Sequence, residues 1–253
     1  MKKYFVIDLD GTIYRDTTIL PGAKEFIDYL KTKNHDYVFF TNSPQRSKEE
    51  LADKLNKLGI ACLPKDFLST VDVCINYLPK NAKIKCLGSI SMEEQFKING
   101  FKIVNQDGIC DYVIIGYAPN INLKQINEAC YHIYSGSKVI LCNRDETIPT
   151  PKGFIAHTGA ICDLIQSVTK VQSIDIGKPT KITLDYLCDY FKCTNKDLII
   201  VGDNLKTDIA LAIDHGLQAY LLLSGLTTKN EVKDLNLNNV IICSNLHEVV
   251  KKL

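Results

Sequence analysis

The chain lacks the charge imbalance that marks many nucleic-acid-binding and membrane-surface proteins. Its 253 residues carry a formal net charge of +1, which gives no global field to attract a polyanion. No apolar run approaches the length of a membrane span, and Lys2 and Lys3 lead directly into a strand-like run instead of a signal-peptide core. We therefore expect neither nucleic acid nor membrane as a partner.

The cysteines lack the spacing of a metal or redox motif. The chain has 10 cysteines without a C-x-x-C pair, and most lie in apolar contexts such as those around Cys86, Cys142 and Cys243. This pattern favours buried free thiols over a disulfide or zinc framework. Because free thiols persist in a reducing compartment, we expect a cytoplasmic protein.

The chain also lacks a Gly/Ser-rich linker, so spacing alone sets no domain boundary. Apolar strand-like runs alternate with helical patterns, which favours an α/β fold with a doubly wound, mostly parallel, Rossmann-like sheet. The predicted strands are Tyr4–Asp8, Tyr37–Thr41, Ile84–Leu87, Tyr112–Ile115, Lys138–Cys142, Leu198–Val201, Leu217–Leu223 and Val240–Cys243. A loop with Pro149 and Pro151 is expected before a helix that begins near Thr158.

Polar residues gather where several predicted strands end. Open α/β sheets bind ligands outside the carboxyl ends of their strands, so we expect these groups to converge on one rim. A fourth group enters a helix instead of leaving a strand. The groups are Asp8 with Asp10, Thr41-Asn42-Ser43, Gly202-Asp203-Asn204 with Asp208, and Gly177-Lys178-Pro179.

This set of side chains suits phosphoryl transfer. Crowded carboxylates repel one another unless a cation lies among them, and oxygen ligands favour Mg²⁺. A lysine helps to neutralise phosphate, and hydroxyl and backbone N–H groups hold its remaining oxygens. One carboxylate is then free to attack phosphorus, and another can move a proton to the leaving oxygen.

Each motif also has an ordinary structural interpretation. Asp-Gly is a common turn dipeptide, and Thr41-Asn42-Ser43 could simply cap a helix. Asp208 could be an acid in the first turn of a helix. The joint occurrence of the motifs, in this order and at strand ends, favours the catalytic interpretation.

Together the motifs resemble the four signatures of the haloacid dehalogenase (HAD) superfamily of phosphatases. Asp8-Leu9-Asp10-Gly11-Thr12 matches the first signature, Thr41 the second, Lys178 the third, and Asp203 with Asp208 the fourth. The residues around these positions are similar to the NagD-like branch, which includes p-nitrophenyl phosphatases and pyridoxal phosphate phosphatases. The similarity runs along the whole chain in the same order.

The resemblance implies a HAD-like core with a smaller inserted α/β cap domain. This branch carries its cap between the second and third signatures, so we place the cap at residues 80–173 and the core at residues 1–79 and 174–253. Large caps in the superfamily often mediate dimers, so a homodimer through the cap is an expectation of the resemblance.

The resemblance also assigns roles to the acids. It makes Asp8 the nucleophile and a Mg²⁺ ligand, and Asp10 the general acid/base that binds the metal through its backbone carbonyl. It makes Asp203 the residue that completes the metal site. Asp208 would support that site from outside the direct ligands or through water.

Phosphate binding is assigned in the same way. Thr41 is expected to bind phosphate with Asn42 and Ser43 beside it, and Lys178 to bridge Asp8 and the phosphate. The resemblance therefore predicts an anion site built from the second and third signatures.

Asp10 separates phosphatases from other members of the superfamily. Members that attack carbon lack this second acid, and ion-pumping members carry Lys-Thr-Gly after the nucleophile. We therefore predict a Mg²⁺-dependent phosphomonoesterase that forms an aspartyl-phosphate and acts on a small metabolite: a sugar phosphate, a nucleotide or pyridoxal phosphate. The alternatives are a non-catalytic or regulatory protein that binds a phosphorylated ligand, and a phosphotransferase such as a mutase.

The predicted cap contributes two further residues of interest. Arg144, in Asn143-Arg144-Asp145, could pair with a second anionic group of the substrate, or it could be an exposed loop charge. The segment around His157 departs from the usual Pro-Gly pattern of the branch. A histidine in such a place is more often an ordinary loop residue than a ligand.

Overall fold

The computed structural model describes residues 2–104, 108–150, 152–233, 235 and 237–253. The strands are β1 (Tyr4–Ile7), β2 (Tyr14–Arg15), β3 (Thr18–Ile19), β4 (Asp36–Thr41), β5 (Phe67–Ser69), β6 (Lys83–Leu87), β7 (Lys102–Ile103), β8 (Tyr112–Ile115), β9 (Lys138–Leu141), β10 (Thr147–Thr150), β11 (Gly153–Ala156), β12 (Ser173–Asp175), β13 (Leu198–Gly202), β14 (Gln218–Leu222) and β15 (Val240–Cys243). The helices are α1 (Ala23–Thr32), α2 (Lys48–Lys57), α3 (Thr70–Tyr77), α4 (Ile90–Ile98), α5 (Leu123–Tyr134), α6 (Thr158–Thr169), α7 (Lys181–Phe191), α8 (Ala210–His215), α9 (Lys229–Val232) and α10 (Leu246–Lys252). Among these described helices, none combines the length and the apolar composition that a membrane span needs.

The chain divides into two compact units. The first unit comprises Met1–Thr41, Lys48–Leu68 and Lys178–Leu253, and the second comprises Asn42–Ser47 and Ser69–Gly177. Helix α3 belongs to the second unit. The cap at residues 80–173 and its role stay a prediction.

The first unit is built on a six-stranded sheet with the order β15-β14-β13-β1-β4-β5. Strand β1 pairs in parallel with β13 and β4, so that Ile7 lies opposite Val201 and Phe39. Such strands are covered on both faces, which explains their continuous apolar sequences. Helices α1 and α10 cover one face through side chains such as Phe26 and Leu246.

The second unit has its own five-stranded parallel sheet, with the order β12-β9-β8-β6-β7. Val113, Ile115 and Leu141 on its central strands are buried against apolar residues of α5 and α6 such as Ile133 and Ile165. Each buried aliphatic side chain of this kind contributes about 1.5–3 kcal/mol through removal from water. These observations confirm the predicted fold class of α/β layers with mostly parallel sheets.

The predicted loop before α6 is wrong in one respect, because part of it forms a hairpin. Strands β10 and β11 pair antiparallel, with Thr147 opposite Ala156, while Pro151 lies outside the described residues. A proline in a short run argues against a central strand, but this hairpin forms a two-stranded sheet of its own. A strand at the edge of a sheet, unlike a central strand, tolerates a proline in its sequence.

Candidate active site

Three acids of the first unit meet at the carboxyl edge of its sheet. Asp8 directly follows β1 and Asp203 directly follows β13, which are neighbouring parallel strands. Asp208 lies in a π-helical turn, Leu205–Ile209, that follows Asp203 in the chain. One carboxylate oxygen from each acid lies within 4.8 Å of the others. The predicted convergence of the first and fourth motifs is therefore present in the structure.

Lys178 lies among these acids. Its ammonium group donates hydrogen bonds to Asp8 Oδ1 at 2.8 Å, to Asp208 Oδ1 at 2.6 Å and to the Phe40 carbonyl at 3.2 Å. The side chain is only 2% exposed, so these hydrogen bonds form with little competition from water. Thr180 caps the helix that follows, through a hydrogen bond from the Thr183 amide. The third motif thus places a buried cation between two carboxylates.

Burial and crowding change the protonation of this cluster. Burial raises the pKa of Asp8 well above its usual range; Lys178 opposes this shift, while Asp208 and Asp203 add to it. Burial also raises the pKa of Asp203 to about 6, with a further contribution from Asp208. For Lys178, burial lowers the pKa, but Asp208 and Asp8 raise it above its ordinary value. The cluster of acids therefore favours the uptake of positive charge, either as protons or as a bound cation.

The donor set fits a divalent metal ion. Among the residues that the structure describes, these three carboxylates have one lysine beside them, which pairs with Asp8 and Asp208. Ionisation of all three acids would therefore give two more negative charges than this lysine balances. Carboxylate oxygens are the ligands that Mg²⁺ uses in proteins, usually together with water and phosphate oxygens. Asp8, Asp203 and Asp208 would hold the ion at this edge of the sheet.

Asp10 has a different environment from the buried acids. Its side chain is exposed, and Tyr14 donates its hydroxyl hydrogen to Asp10 Oδ2 at 3.2 Å. The turn that carries Asp10 is tight, because the amides of Thr12 and Ile13 both bond to the Leu9 carbonyl. The Asp10 carboxylate is therefore open to solvent, and the Tyr14 hydroxyl orients it.

Gly11 is required by the geometry of the site. Its φ angle is +85°, and a Cβ atom at this position would overlap the Asp203 carboxylate. Both the left-handed backbone and the close approach exclude larger residues. The glycine in the first motif is thus explained by the position of an acid from the fourth motif.

The sequence analysis missed several residues that hold Asp203. The Leu226 amide donates to Asp203 Oδ2 at 2.6 Å, and the Thr12 hydroxyl donates to Oδ1 at 3.4 Å. A Cβ at Gly225 would also overlap this carboxylate. The sequence offered one indication of these contacts. The segment Ser224-Gly225-Leu226 follows β14, another parallel strand whose carboxyl end lies at the same edge of the sheet as Asp203.

The second motif is divided between the two units. Thr41 is the last residue of β4 and is 7% exposed. Because β4 is parallel to β1, Thr41 lies at the same edge as Asp8. Asn42 and Ser43 belong to the second unit, and their part in phosphate binding stays a prediction.

Arg144 makes its described contacts within the second unit. Its guanidinium donates two hydrogen bonds to Asp175, both at 2.9 Å, and one to Asp163 at 3.0 Å. A further bond goes to the Ser173 hydroxyl at 2.9 Å. These contacts join β12 and α6 to the loop that follows β9. Binding of a substrate anion by Arg144 stays a prediction.

His157 is buried rather than exposed on a loop. It is 7% exposed, and its ring stacks on Tyr117 with 4.6 Å between the ring centroids. Burial lowers the pKa of His157, against an opposing effect of Asp145. The imidazole is therefore neutral near pH 7 and contributes to packing in the second unit.

Comparison with known proteins places this site in a family. A family model described as haloacid dehalogenase-like hydrolase matches residues 5–102, and a HAD-hydrolase-like model matches residues 175–249. The chain is 30% identical to an acid sugar phosphatase of Staphylococcus haemolyticus, over 92% of this chain and 90% of the relative. A Staphylococcus saprophyticus relative of the same name is 29% identical over 100% and 99% of the two chains. The protein belongs to the haloacid dehalogenase-like hydrolases.

A solved structure indicates the branch of the family to which the chain belongs. The p-nitrophenyl phosphatase from Archaeoglobus fulgidus superposes with a TM-score of 0.91 and 25% identity, covering 100% of this chain and 99% of that one. The chain belongs to the NagD-like branch, with the p-nitrophenyl phosphatases, as its motifs predicted. It is therefore an enzyme, a hydrolase of the phosphatase type.

Proposed function

We propose that the enzyme is a Mg²⁺-dependent phosphomonoesterase that forms a covalent phosphoryl intermediate on Asp8. The observation that carries the proposal is the Lys178 ammonium group, which bridges Asp8 and Asp208 within a buried cluster of acids. A purely structural pair would need one carboxylate for one lysine. The excess of buried negative charge supports a site that takes up a cation and an electrophilic phosphoryl group.

In the first step Asp8 acts as the nucleophile. One of its carboxylate oxygens attacks the phosphorus, and the bond between phosphorus and the ester oxygen breaks. Asp10, in its protonated form, gives its proton to the departing oxygen. Lys178 and Thr41 hold the oxygens of the phosphoryl group, with Asn42 and Ser43 beside them. The products of this step are an alcohol and phosphorylated Asp8.

In the second step water replaces Asp8. The water oxygen attacks phosphorus, the ionised Asp10 takes a proton from that water, and the bond from phosphorus to Asp8 breaks. Inorganic phosphate leaves and both acids return to their starting forms. Asp8, Asp203, Asp208 and the Asp10 carbonyl would hold Mg²⁺, which would supply positive charge to offset the negative charge of the phosphate.

A sugar phosphate is the substrate class that we propose first, ahead of a nucleotide or pyridoxal phosphate. The support is the name of the staphylococcal relatives, which are acid sugar phosphatases. We also propose a cytoplasmic location, supported by the free state of the cysteines. Dimerisation through the cap stays a prediction.

The test is hydrolysis of p-nitrophenyl phosphate with Mg²⁺ by the wild type and by Asp8→Asn. We expect the substitution to lower kcat by roughly 10³-fold or more, because it removes the nucleophile. EDTA should abolish the wild-type activity, and added Mg²⁺ should restore it. A panel of sugar phosphates, nucleotides and pyridoxal phosphate then ranks the substrates by kcat/KM.

Asp175→Asn is the matched control. Like Asp8, Asp175 accepts hydrogen bonds from a basic side chain, that of Arg144. Asp175 lies in the second unit. We expect this variant to keep its kcat. Activity that survives Asp8→Asn, or that is insensitive to EDTA, would contradict the proposed mechanism.

A further inference from the structure

The backbone carbonyl of Asn42 accepts hydrogen bonds from two side chains that are distant in the chain. Asn143 donates its Nδ2 hydrogen to this oxygen at 3.0 Å, from a position 101 residues away. Thr70 donates its hydroxyl hydrogen at 3.1 Å. Asn143 is 1% exposed and Thr70 is 0% exposed. Because a buried donor without an acceptor is costly, these bonds hold the Asn42 carbonyl in one place.

Both donors are themselves oriented by further contacts. The Oδ1 atom of Asn143 accepts the amide hydrogen of Asp145 at 3.1 Å, which fixes the side-chain amide plane. The Thr70 side chain lies beside the buried Cys142 thiol, where it opposes the rise that burial causes in the pKa of that thiol. Asn143 and Thr70 therefore present their donors to the Asn42 carbonyl in a fixed geometry.

Gly177 completes this arrangement. A Cβ at Gly177 would overlap the Cys142 carbonyl oxygen and would lie 3.1 Å from Asn42 Oδ1 and 3.2 Å from Thr70 Cγ2. We call Asn42, Thr70, Cys142, Asn143 and Gly177 the junction cluster. All five residues belong to the second unit.

Two members of the junction cluster adjoin proposed phosphate-binding residues in the chain. Asn42 directly follows Thr41, and Gly177 directly precedes Lys178. On the other side of Thr41, the Phe40 carbonyl accepts a hydrogen bond from Lys178 at 3.2 Å. The carbonyl groups of both neighbours of Thr41 are thus anchored by side chains.

We propose that Asn143 is a positioning residue for phosphate binding. Through the Asn42 carbonyl it holds the end of the strand that carries Thr41. Asn143 acts through the backbone and not through contact with phosphate. This inference rests on the proposed function, because it takes Thr41 and Lys178 as the phosphate ligands.

Two variants and one matched control test the proposal. Asn143→Asp keeps the size of the side chain but replaces the donor with an acceptor, and Thr70→Val removes the second donor. Ser137→Ala is the control, because the buried Ser137 hydroxyl donates to the Cys110 carbonyl at 2.7 Å, also in the second unit. For each protein we would measure the Kd of inorganic phosphate in Mg²⁺ by calorimetry, KM and kcat for p-nitrophenyl phosphate, the Kd of Mg²⁺ and the unfolding midpoint.

We expect Thr70→Val to weaken phosphate binding by about 3- to 10-fold, the range that one lost buried hydrogen bond gives. Asn143→Asp should have a larger effect, since an acceptor then faces the Asn42 carbonyl. KM should rise with the phosphate Kd, and the Kd of Mg²⁺ should stay unchanged. Ser137→Ala should bind phosphate as the wild type does.

The proposal is overturned if folded Asn143→Asp and Thr70→Val bind phosphate like the wild type. It is also overturned if Ser137→Ala loses as much affinity, because that result indicates general loosening of the unit. Should Asn143→Asp fail to fold, Thr70→Val decides alone. A wild type that binds phosphate without hydrolysing an ester contradicts the proposed function only, whereas one that binds no phosphate overturns both.

Discussion

The two units of this enzyme are both built on a β-sheet with parallel strands, but they differ in the charged groups that they carry below the surface. In the first unit, Asp8, Asp203 and Asp208 lie close together, and the Lys178 ammonium group pairs with two of them, Asp8 and Asp208. In the second unit, the partly buried Lys85 is paired with one carboxylate, that of Glu128, at 2.9 Å, while the more exposed Arg144 binds both Asp163 and Asp175. The same fold class therefore carries three acids and one lysine in a buried cluster of one unit, and one acid with one lysine in a partly buried pair of the other.

The difference in charge balance between the two units indicates which charged residues stabilise the fold and which are kept for catalysis. Like charges in a buried place oppose folding, so packing alone does not account for the acids of the first unit. A balanced pair such as Lys85 with Glu128 needs no ligand to complete it. The imbalance thus marks the site where a cation and a phosphoryl group are expected.

The strongest way to test this contrast is to remove one lysine from each unit, the buried Lys178 and the partly buried Lys85. We expect Lys178→Met to lower kcat/KM by roughly 10²-fold or more, since Lys178 is proposed to stabilise charge on the transferred phosphoryl group. Lys85→Met removes the cation of the other pair and should lower the unfolding midpoint without changing kcat. Steady-state kinetics and thermal unfolding of both variants check this prediction. If Lys178→Met and Lys85→Met lost kcat equally, the proposed catalytic role of the charge cluster in the first unit alone would be wrong.

A smaller effect is expected from metal binding to the folded chain. Mg²⁺ at about 100 times its Kd should stabilise the protein by about 2.7 kcal/mol. Because burial raises the pKa of Asp203 to about 6, protonation should weaken Mg²⁺ binding as the pH falls through that value. The stabilisation is thus present above about pH 6 and declines below it. Thermal unfolding with and without Mg²⁺ across this pH range measures the effect.

Asp203→Asn provides the control for metal binding. The substitution removes one ligand and one of the crowded negative charges, so the midpoint should no longer respond to Mg²⁺. Asp175→Asn, in the second unit, should keep the full response. A Mg²⁺ response that persists in Asp203→Asn would place the metal elsewhere.

The smallest effect is expected from Arg144 in the second unit. Its side chain is 42% exposed, and exposed ion pairs contribute only about 0–1 kcal/mol. Arg144→Met should therefore lower the free energy of unfolding slightly and leave KM for p-nitrophenyl phosphate unchanged. Chemical denaturation and kinetics measure the two quantities. A selective rise in KM for substrates with a second anionic group would instead support the predicted role in substrate binding.

Sequence patterns predicted the elements that position the site. Strand β1 and strand β13 are continuous apolar runs that end in acids, so both the strands and the convergence of Asp8 with Asp203 followed from general rules about parallel sheets. The role of Asp10 followed from the family resemblance, because spacing alone does not distinguish a nucleophile from an acid.

Other features depended on contacts between distant residues and could not be predicted. Helix α3 was missed because its sequence, Thr-Val-Asp-Val-Cys-Ile-Asn-Tyr, is rich in β-branched residues that do not favour helices. Its N-terminal capping box, Ser69 with Asp72, was the available signal. The Leu226 amide on Asp203 and the pairing of Arg144 with Asp175 join segments that have no common local pattern.

The most direct test of the central claim is to identify the phosphorylated residue during turnover. Asp10→Asn is the suitable protein, because loss of the base should slow attack by water while p-nitrophenol, a good leaving group, departs without protonation. The reaction with p-nitrophenyl phosphate and Mg²⁺ would be quenched in acid, and the peptides analysed by mass spectrometry. We predict a phosphoryl group on Asp8 that forms together with the first equivalent of p-nitrophenol. Release of that equivalent without phosphorylation of Asp8, or with the phosphoryl group on another residue, would contradict the account.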